Sequence, residues 1–162
     1  MFHSTTGLVH LLAALVALVS GSTVLLRPKR GRFHKRAGYV HLTSMLLNLT
    51  ALLIYHLFGR FGPFHWLAVL GLLCLTGGMV PALLRSRINS WIYWHYYFMS
   101  WSVVGLFAAF WSETLTRDLP VGQFWPLVLL ATLVTAMAGS FLIRRYAPRL
   151  LATGPTTRRS LP

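Results

Sequence analysis

Five long apolar stretches dominate the chain, at about residues 7–26, 37–58, 64–84, 91–112 and 121–143. Each is long enough to cross the hydrocarbon core of a bilayer, which takes roughly 20 apolar residues. A lone segment in lipid must satisfy its own backbone hydrogen bonds, so each stretch is predicted to be an α-helix. None shows the alternation of polar and apolar residues that a membrane β-barrel requires. We therefore expect an all-α integral membrane protein, an up-down helical bundle of five transmembrane helices.

The composition leaves no room for a large soluble domain. Of the 162 residues, 56% are hydrophobic, and the only acids are Glu113 and Asp118. We expect a single transmembrane helical domain over residues 1–149, with a four-helix core plus one further helix. Residues 150–162 are expected to form a basic, flexible cytoplasmic tail. Hydrolytic chemistry is disfavoured because both acids fall in one loop outside the spans.

The uneven distribution of Lys and Arg predicts the orientation. Six lie in the first connection, one in the second, two in the third, one in the fourth and five in the tail. Cytoplasmic loops carry the excess of these residues, so the N-terminus is expected outside and the C-terminus in the cytoplasm. The net charge of +13 is thus explained by topology and by anionic lipid headgroups of the bilayer, and no nucleic-acid partner is expected. No basic residue precedes the first stretch, so we expect it to be retained rather than cleaved as a signal peptide.

Histidines near the starts of the first four stretches are the candidate functional residues. Successive helices run in opposite directions, which puts His10 and His65 at the outer side and His34 and His95 at the inner side. His41 lies deeper in the second helix and is an alternative to His34 as the inner residue. Ionisable groups inside a membrane are costly and usually have a function.

In an up-down bundle, helices one and three are diagonal, as are helices two and four, so each histidine pair would converge. Two imidazoles without a carboxylate or thiolate suit the axial ligation of a b-type haem (heme b). The two levels would lie roughly 20 Å apart, which suits two separate sites. The absence of a Cys-x-x-Cys-His motif means that the haem would be held non-covalently.

The pattern therefore predicts a protein with one or two haems that transfers electrons across the membrane, with quinone or a respiratory complex as partner. The candidate cofactor ligands are His10 with His65, and His95 with either His34 or His41; His10, His65, His34 and His95 are also the candidate metal ligands. A non-catalytic assembly or scaffold protein is the first alternative, since small-residue faces suit helix packing and would also allow a homo-oligomer. A histidine-lined metal or proton carrier is the second.

Four short motifs resemble those of a known family. They are a Gly-rich turn ending in Pro-x-His at residues 59–65, a His-basic-x-x-Gly helix start at 34–38, His-x-x-x-Met at 95–99, and His10 followed by Gly21. This set resembles small bacterial integral membrane proteins that are catalogued as a domain of unknown function, over about residues 7–112. The resemblance implies a multi-pass protein of the bacterial inner (cytoplasmic) membrane and favours His34 over His41, but it implies no reaction. The two histidine levels also resemble, in architecture alone, the di-haem transmembrane cytochromes b.

Overall fold

The computed structural model describes residues 5–27, 29, 31–49, 62–118 and 124–151. Within them the chain is all-helical, as predicted. The five helices are α1 (Thr5–Leu26), α2 (Gly31–Asn48), α3 (Pro63–Leu83), α4 (Trp91–Asp118) and α5 (Phe124–Leu151). The second half of the predicted second span and the tail beyond residue 151 lie outside the described residues.

Local sequence signals explain two of the helix boundaries. Gly31 opens α2 with a φ of 82°, a left-handed conformation that glycine adopts without steric cost. Pro63 opens α3, where its missing N–H is not needed and its fixed φ suits the first helical turn.

The helices pack in the order expected of an up-down bundle. Extensive contacts join α1 to α2, α3 to α4 and α4 to α5, whereas α1 meets α4, and α2 meets α3, over smaller areas. The apolar core is contributed by α1 to α4 and contains Ala17, Leu18, Met45, Leu75, Met99 and Leu106. Helix α4 is thus the central element, since it contacts α1, α3 and α5.

Helix α5 packs against α4. Gly139 of α5 lies against Val104 of α4 so closely that no side chain would fit between the helices. The Tyr96 hydroxyl of α4 donates to the backbone oxygen of Ile143 at 2.9 Å. These contacts show that α5 packs along α4.

Three described segments are long and apolar enough to cross a membrane, namely Thr5–Leu26, Phe64–Leu83 and Phe124–Pro148. The described part of α2 begins with a basic run, and Trp, Tyr and Ser lower the mean hydropathy of α4. The outward faces of the helices are apolar, with Val19 and Met137 about 70% exposed (69% and 72%). Such a surface suits lipid rather than water. The count of five spans and their orientation remain predictions.

Candidate functional site

The interior of the bundle carries polar side chains in three layers. His34, His41 and Asn48 follow one another at seven-residue intervals on α2, so they share one face and are about 10 Å apart along the helix. We name the layers after their positions: the inner layer contains Lys29, His34 and His95, the central layer His41 and Ser102, and the outer layer His10 and Asn48.

The outer layer joins α1 to α2. Nδ1 of His10 donates to the backbone oxygen of Asn48 at 3.2 Å. The side-chain oxygen of Asn48 is buried and has no hydrogen-bond partner among the described residues. The bond from Nδ1 leaves the lone pair of His10 on Nε2, which is the arrangement that a metal ligand needs.

His65, the predicted outer partner of His10, makes a different kind of bond. It is 5% exposed, and its Nδ1 accepts the backbone N–H of Gly62 at 3.0 Å, which caps the start of α3. A neutral imidazole that accepts at Nδ1 carries its proton on Nε2, where it can donate but not ligate. The described contacts of His10 and His65 therefore do not join the two rings to each other.

The central layer holds the most deeply buried histidine. His41 is 1% exposed, its Nδ1 donates to the backbone oxygen of Ala17 at 3.1 Å, and its Nε2 lies 3.4 Å from the Ser102 hydroxyl. That hydroxyl has a single proton and makes a shorter bond, at 2.8 Å, to the backbone oxygen of Met99. His41 thus bonds α2 to α1 through Nδ1, while its Nε2 lies against the Ser102 hydroxyl of α4, whose proton is directed to Met99.

Gly21 of α1 makes room for this ring. A Cβ atom placed there would lie 2.9 Å from Cε1 of His41 and 2.9 Å from Cγ2 of Val103, both shorter than carbon atoms tolerate. Gly21 lies eleven residues after His10, on the same face of α1. The ring that Gly21 contacts is the imidazole of His41.

The inner layer contains the predicted pair His34 and His95. Nδ1 of His95 donates to the backbone oxygen of Gly78 on α3 at 2.9 Å, which leaves the lone pair on Nε2. His34 lies just before the predicted second span. Burial lowers the pKa of His34, and electrostatic repulsion by Lys29 and by the charged form of His95 lowers it further. The predicted inner pair is therefore close enough to interact electrostatically.

Lys29 is an inner-layer residue that sequence reasoning counted only as loop charge. Its Nζ donates to the backbone oxygens of Val24 at 3.1 Å and Leu25 at 3.4 Å, and it lies 5.9 Å from the ring centre of Tyr96. Burial lowers the pKa of its ammonium group. The sequence does contain an indication of this role, because a lysine three residues past the end of a helix can reach back to the last carbonyls of that helix.

The described residues contain no group of three or more His, Cys, Asp or Glu side chains that could hold a metal ion. A haem needs only two axial histidines, so this finding bears on a metal-ion centre and not on a haem pair.

Comparison with known proteins identifies the family. A family model described as a predicted membrane protein (DUF2306) matches residues 7–152. No curated protein and no solved structure gives a significant match. The match extends through α5, beyond the part that the motifs of the sequence resembled. The expectation of a membrane-protein family of unknown function is confirmed, and this chain belongs to the DUF2306 family of predicted membrane proteins.

Proposed function

We propose that this protein binds a b-type haem in the membrane and transfers electrons, with His34 and His95 as the two axial ligands at the inner layer. The observation that supports this is that His34 of α2 and His95 of α4 lie close enough to interact electrostatically. One of them, His95, is held by its Nδ1 bond to Gly78 so that Nε2 is left to ligate.

The surrounding side chains fit such a group. Aromatic rings flank His95, with Trp91 6.5 Å away between ring centres, and Tyr96 follows it on α4. Lys29 supplies a positive charge suited to the acidic groups of a haem. A haem with two histidine ligands carries single electrons and has no open coordination position. The protein's own part is to orient the His95 ring through the Gly78 carbonyl and to exclude water with the aromatic side chains.

His34 is the better partner of His95 than His41. His41 is 1% exposed, its ring packs closely against Gly21, and Ser102 lies 3.4 Å from its Nε2, so ligation by His41 would require the ring to leave this packed position. His34 makes no side-chain hydrogen bond to another described residue. A second haem at the outer layer would require His65 to give up its cap on α3, so we propose one haem. Under this proposal the haem lies near the cytoplasmic side of a bacterial inner membrane, where a quinone or a respiratory complex exchanges the electron.

The absorption spectrum tests the proposal. The protein is produced in cells supplied with a haem precursor, purified in detergent, and measured before and after dithionite reduction. We expect a Soret band and sharpened bands on reduction, as for six-coordinate haem. His34→Ala and His95→Ala should each abolish these bands, whereas His10→Ala, the matched control in the outer layer, should keep them. A colourless wild type, or bands that survive both inner substitutions, would refute the proposal.

A second candidate function has a specific observation in its favour. His10, His41, His65 and His95 all bond to backbone groups, and three of these bonds tie one helix to another. This is the pattern expected if the histidines hold the bundle together in a non-catalytic assembly protein. Such a protein would be colourless and free of metal, and it would copurify with a larger membrane complex. The same preparation therefore separates the two candidates.

A further inference from the structure

Two consecutive glycines of α3 let α4 approach closely near His95. A Cβ atom at Gly77 would lie 2.9 Å from Cδ1 of the Phe98 ring. A Cβ atom at Gly78 would lie 2.8 Å from both Cγ and Sδ of Met99, and 3.2 Å from the backbone nitrogen of Met99. The backbone nitrogen cannot shift without the whole helix, so a side chain at Gly78 would push α4 away from α3.

The close approach of the two helices brings the backbone oxygen of Gly78 to His95. Helices α3 and α4 are joined by the short turn of residues 84–90 and run in opposite directions. Helix carbonyls point toward the C-terminus of their helix, and hence from Gly78 toward the start of α4. His95 lies one turn before Met99 on the same face of α4. Its Nδ1 therefore meets the Gly78 oxygen, at 2.9 Å.

Pro81 loosens α3 at the same turn. It lies inside the helix and has no N–H, so it gives no helical hydrogen bond to the carbonyl of Gly77, four residues earlier. The turn from Gly77 to Pro81 is thus held by fewer backbone bonds than regular helix, and its first two residues have no side chains. Its carbonyls can tilt toward α4, and each carbonyl oxygen has a second lone pair for a donor from another helix.

We propose that Gly78 is a positioning residue for His95, and that the turn from Gly77 to Pro81 sets the strength of His95 as an iron ligand. This role deepens the proposed function and rests on it. A bond from Nδ1 to a carbonyl keeps the ring proton on Nδ1, fixes the orientation of the ring and makes Nε2 more basic. A more basic imidazole stabilises ferric iron over ferrous iron, so the bond lowers the reduction potential of the haem.

The first test uses haem-free, full-length protein in detergent, with isotope-labelled histidine and at a mildly alkaline pH where imidazole is neutral. Nitrogen NMR shows which ring nitrogen carries the proton, and the signal of His95 is the one missing from His95→Gln. We expect the wild-type ring to hold its proton on Nδ1. Gly78→Ala should let the proton exchange between both nitrogens. Gly71→Ala is the matched control, because its Cβ would lie at an ordinary 3.6 Å from Cε of Met45, and it should keep the wild-type signal.

A second substitution separates lost positioning from general damage to the bundle. Met99→Ala removes Cγ and Sδ, the two side-chain atoms closest to a new Cβ at Gly78. Gly78→Ala combined with Met99→Ala should therefore recover the single Nδ1–H form of His95, although it carries one more core substitution than Gly78→Ala alone. If the bundle were merely destabilised, the double variant would be further from the wild type than Gly78→Ala.

The second test measures haem binding by the same variants. We expect Gly78→Ala to bind haem b about tenfold more weakly than the wild type and to hold it at a higher reduction potential. Gly71→Ala should match the wild type in both measurements. If the wild type binds no haem, the proposed function fails, whereas the NMR measurement still decides whether Gly78 positions His95.

Three results would overturn the proposal. One is a wild-type His95 that carries its proton on Nε2, a result that needs no variant and therefore decides the matter even if Gly78→Ala does not fold. Another is a Gly78→Ala protein whose His95 proton stays on Nδ1 as in Gly71→Ala. The third is haem bound by Gly78→Ala with the affinity and the reduction potential of the wild type.

Discussion

The contact between Gly21 and His41 gives the sharpest prediction for the stability of the bundle. In Gly21→Ala the new Cβ would lie 2.9 Å from Cε1 of His41 and 3.0 Å from its Nδ1. The ring must therefore move away from α1, which breaks its 3.1 Å bond to the backbone oxygen of Ala17. The new methyl group cannot be accommodated by a shift toward Val103 either, because Cγ2 of Val103 would also lie 2.9 Å from it.

The expected magnitude follows from three contributions to the free energy of unfolding. Overpacking a closed interface costs about 1–3 kcal/mol. Leaving a buried donor or acceptor without its partner costs about 1–3 kcal/mol more. Alanine favours the helix over glycine by about 1 kcal/mol, which offsets part of the loss. The net destabilisation is about 3 kcal/mol.

Gly105→Ala is the matched control. Gly105 lies inside α4, and a Cβ there would have nothing within 4 Å, so the substitution should stabilise the helix by about 1 kcal/mol. The two variants should thus differ by about 4 kcal/mol when unfolding in mixed detergent is followed by tryptophan fluorescence. Equal stability of Gly21→Ala and Gly105→Ala would refute the reasoning.

A double-mutant cycle assigns the effect to the imidazole. In a His41→Ala background no ring occupies the space beside Gly21, so Gly21→Ala should cost about 1–3 kcal/mol less than in the wild type. An unchanged cost would show that Val103 alone resists the new methyl group.

Three further predictions concern other parts of the bundle. Burial and neighbouring positive charge hold the pKa of His34 below its usual 6.5. The unfolded chain therefore binds more protons at this residue than the folded protein does, and the melting temperature should fall as the pH drops below that value. His34→Gln should flatten this dependence of the melting temperature on pH between about pH 8 and 5. Gly139→Ala should lower the free energy of unfolding by about 2 kcal/mol, because its Cβ would lie 2.5 Å from Cγ2 of Val104; wild-type stability in the same fluorescence assay would contradict this. In a cysteine-free background, an impermeant maleimide should label Ser86→Cys only from the cytoplasm and Arg117→Cys only from outside, and the reverse pattern would invert the predicted topology.

Features that depend only on residues adjacent along the chain were predictable from the sequence. The left-handed Gly31 and the helix-opening Pro63 each follow from the backbone preferences of a single residue. The apolar stretches predicted helices for the same reason, since each segment satisfies its own hydrogen bonds. The order of the helices in the bundle followed from their alternating direction.

Features that depend on which faces meet were not predictable. Nothing in the sequence indicates that Gly139 contacts Val104, so the packing of α5 against α4 could not be predicted. The choice between His34 and His41 stayed open too, because both lie on one face of α2 and only Ala17 and Ser102 distinguish them. Lys29 was missed because its role depends on how the chain turns back after α1.

The position of His41 has a consequence for the biogenesis of the protein. A ribosome delivers the α1–α2 hairpin first, and at that stage His41 can bond to Ala17 but not to Ser102, which arrives only with α4. Until then one side of the imidazole faces lipid or the insertion machinery. The α1–α2 hairpin therefore exposes a polar edge at Nε2 of His41 that Ser102 covers once α4 has been inserted.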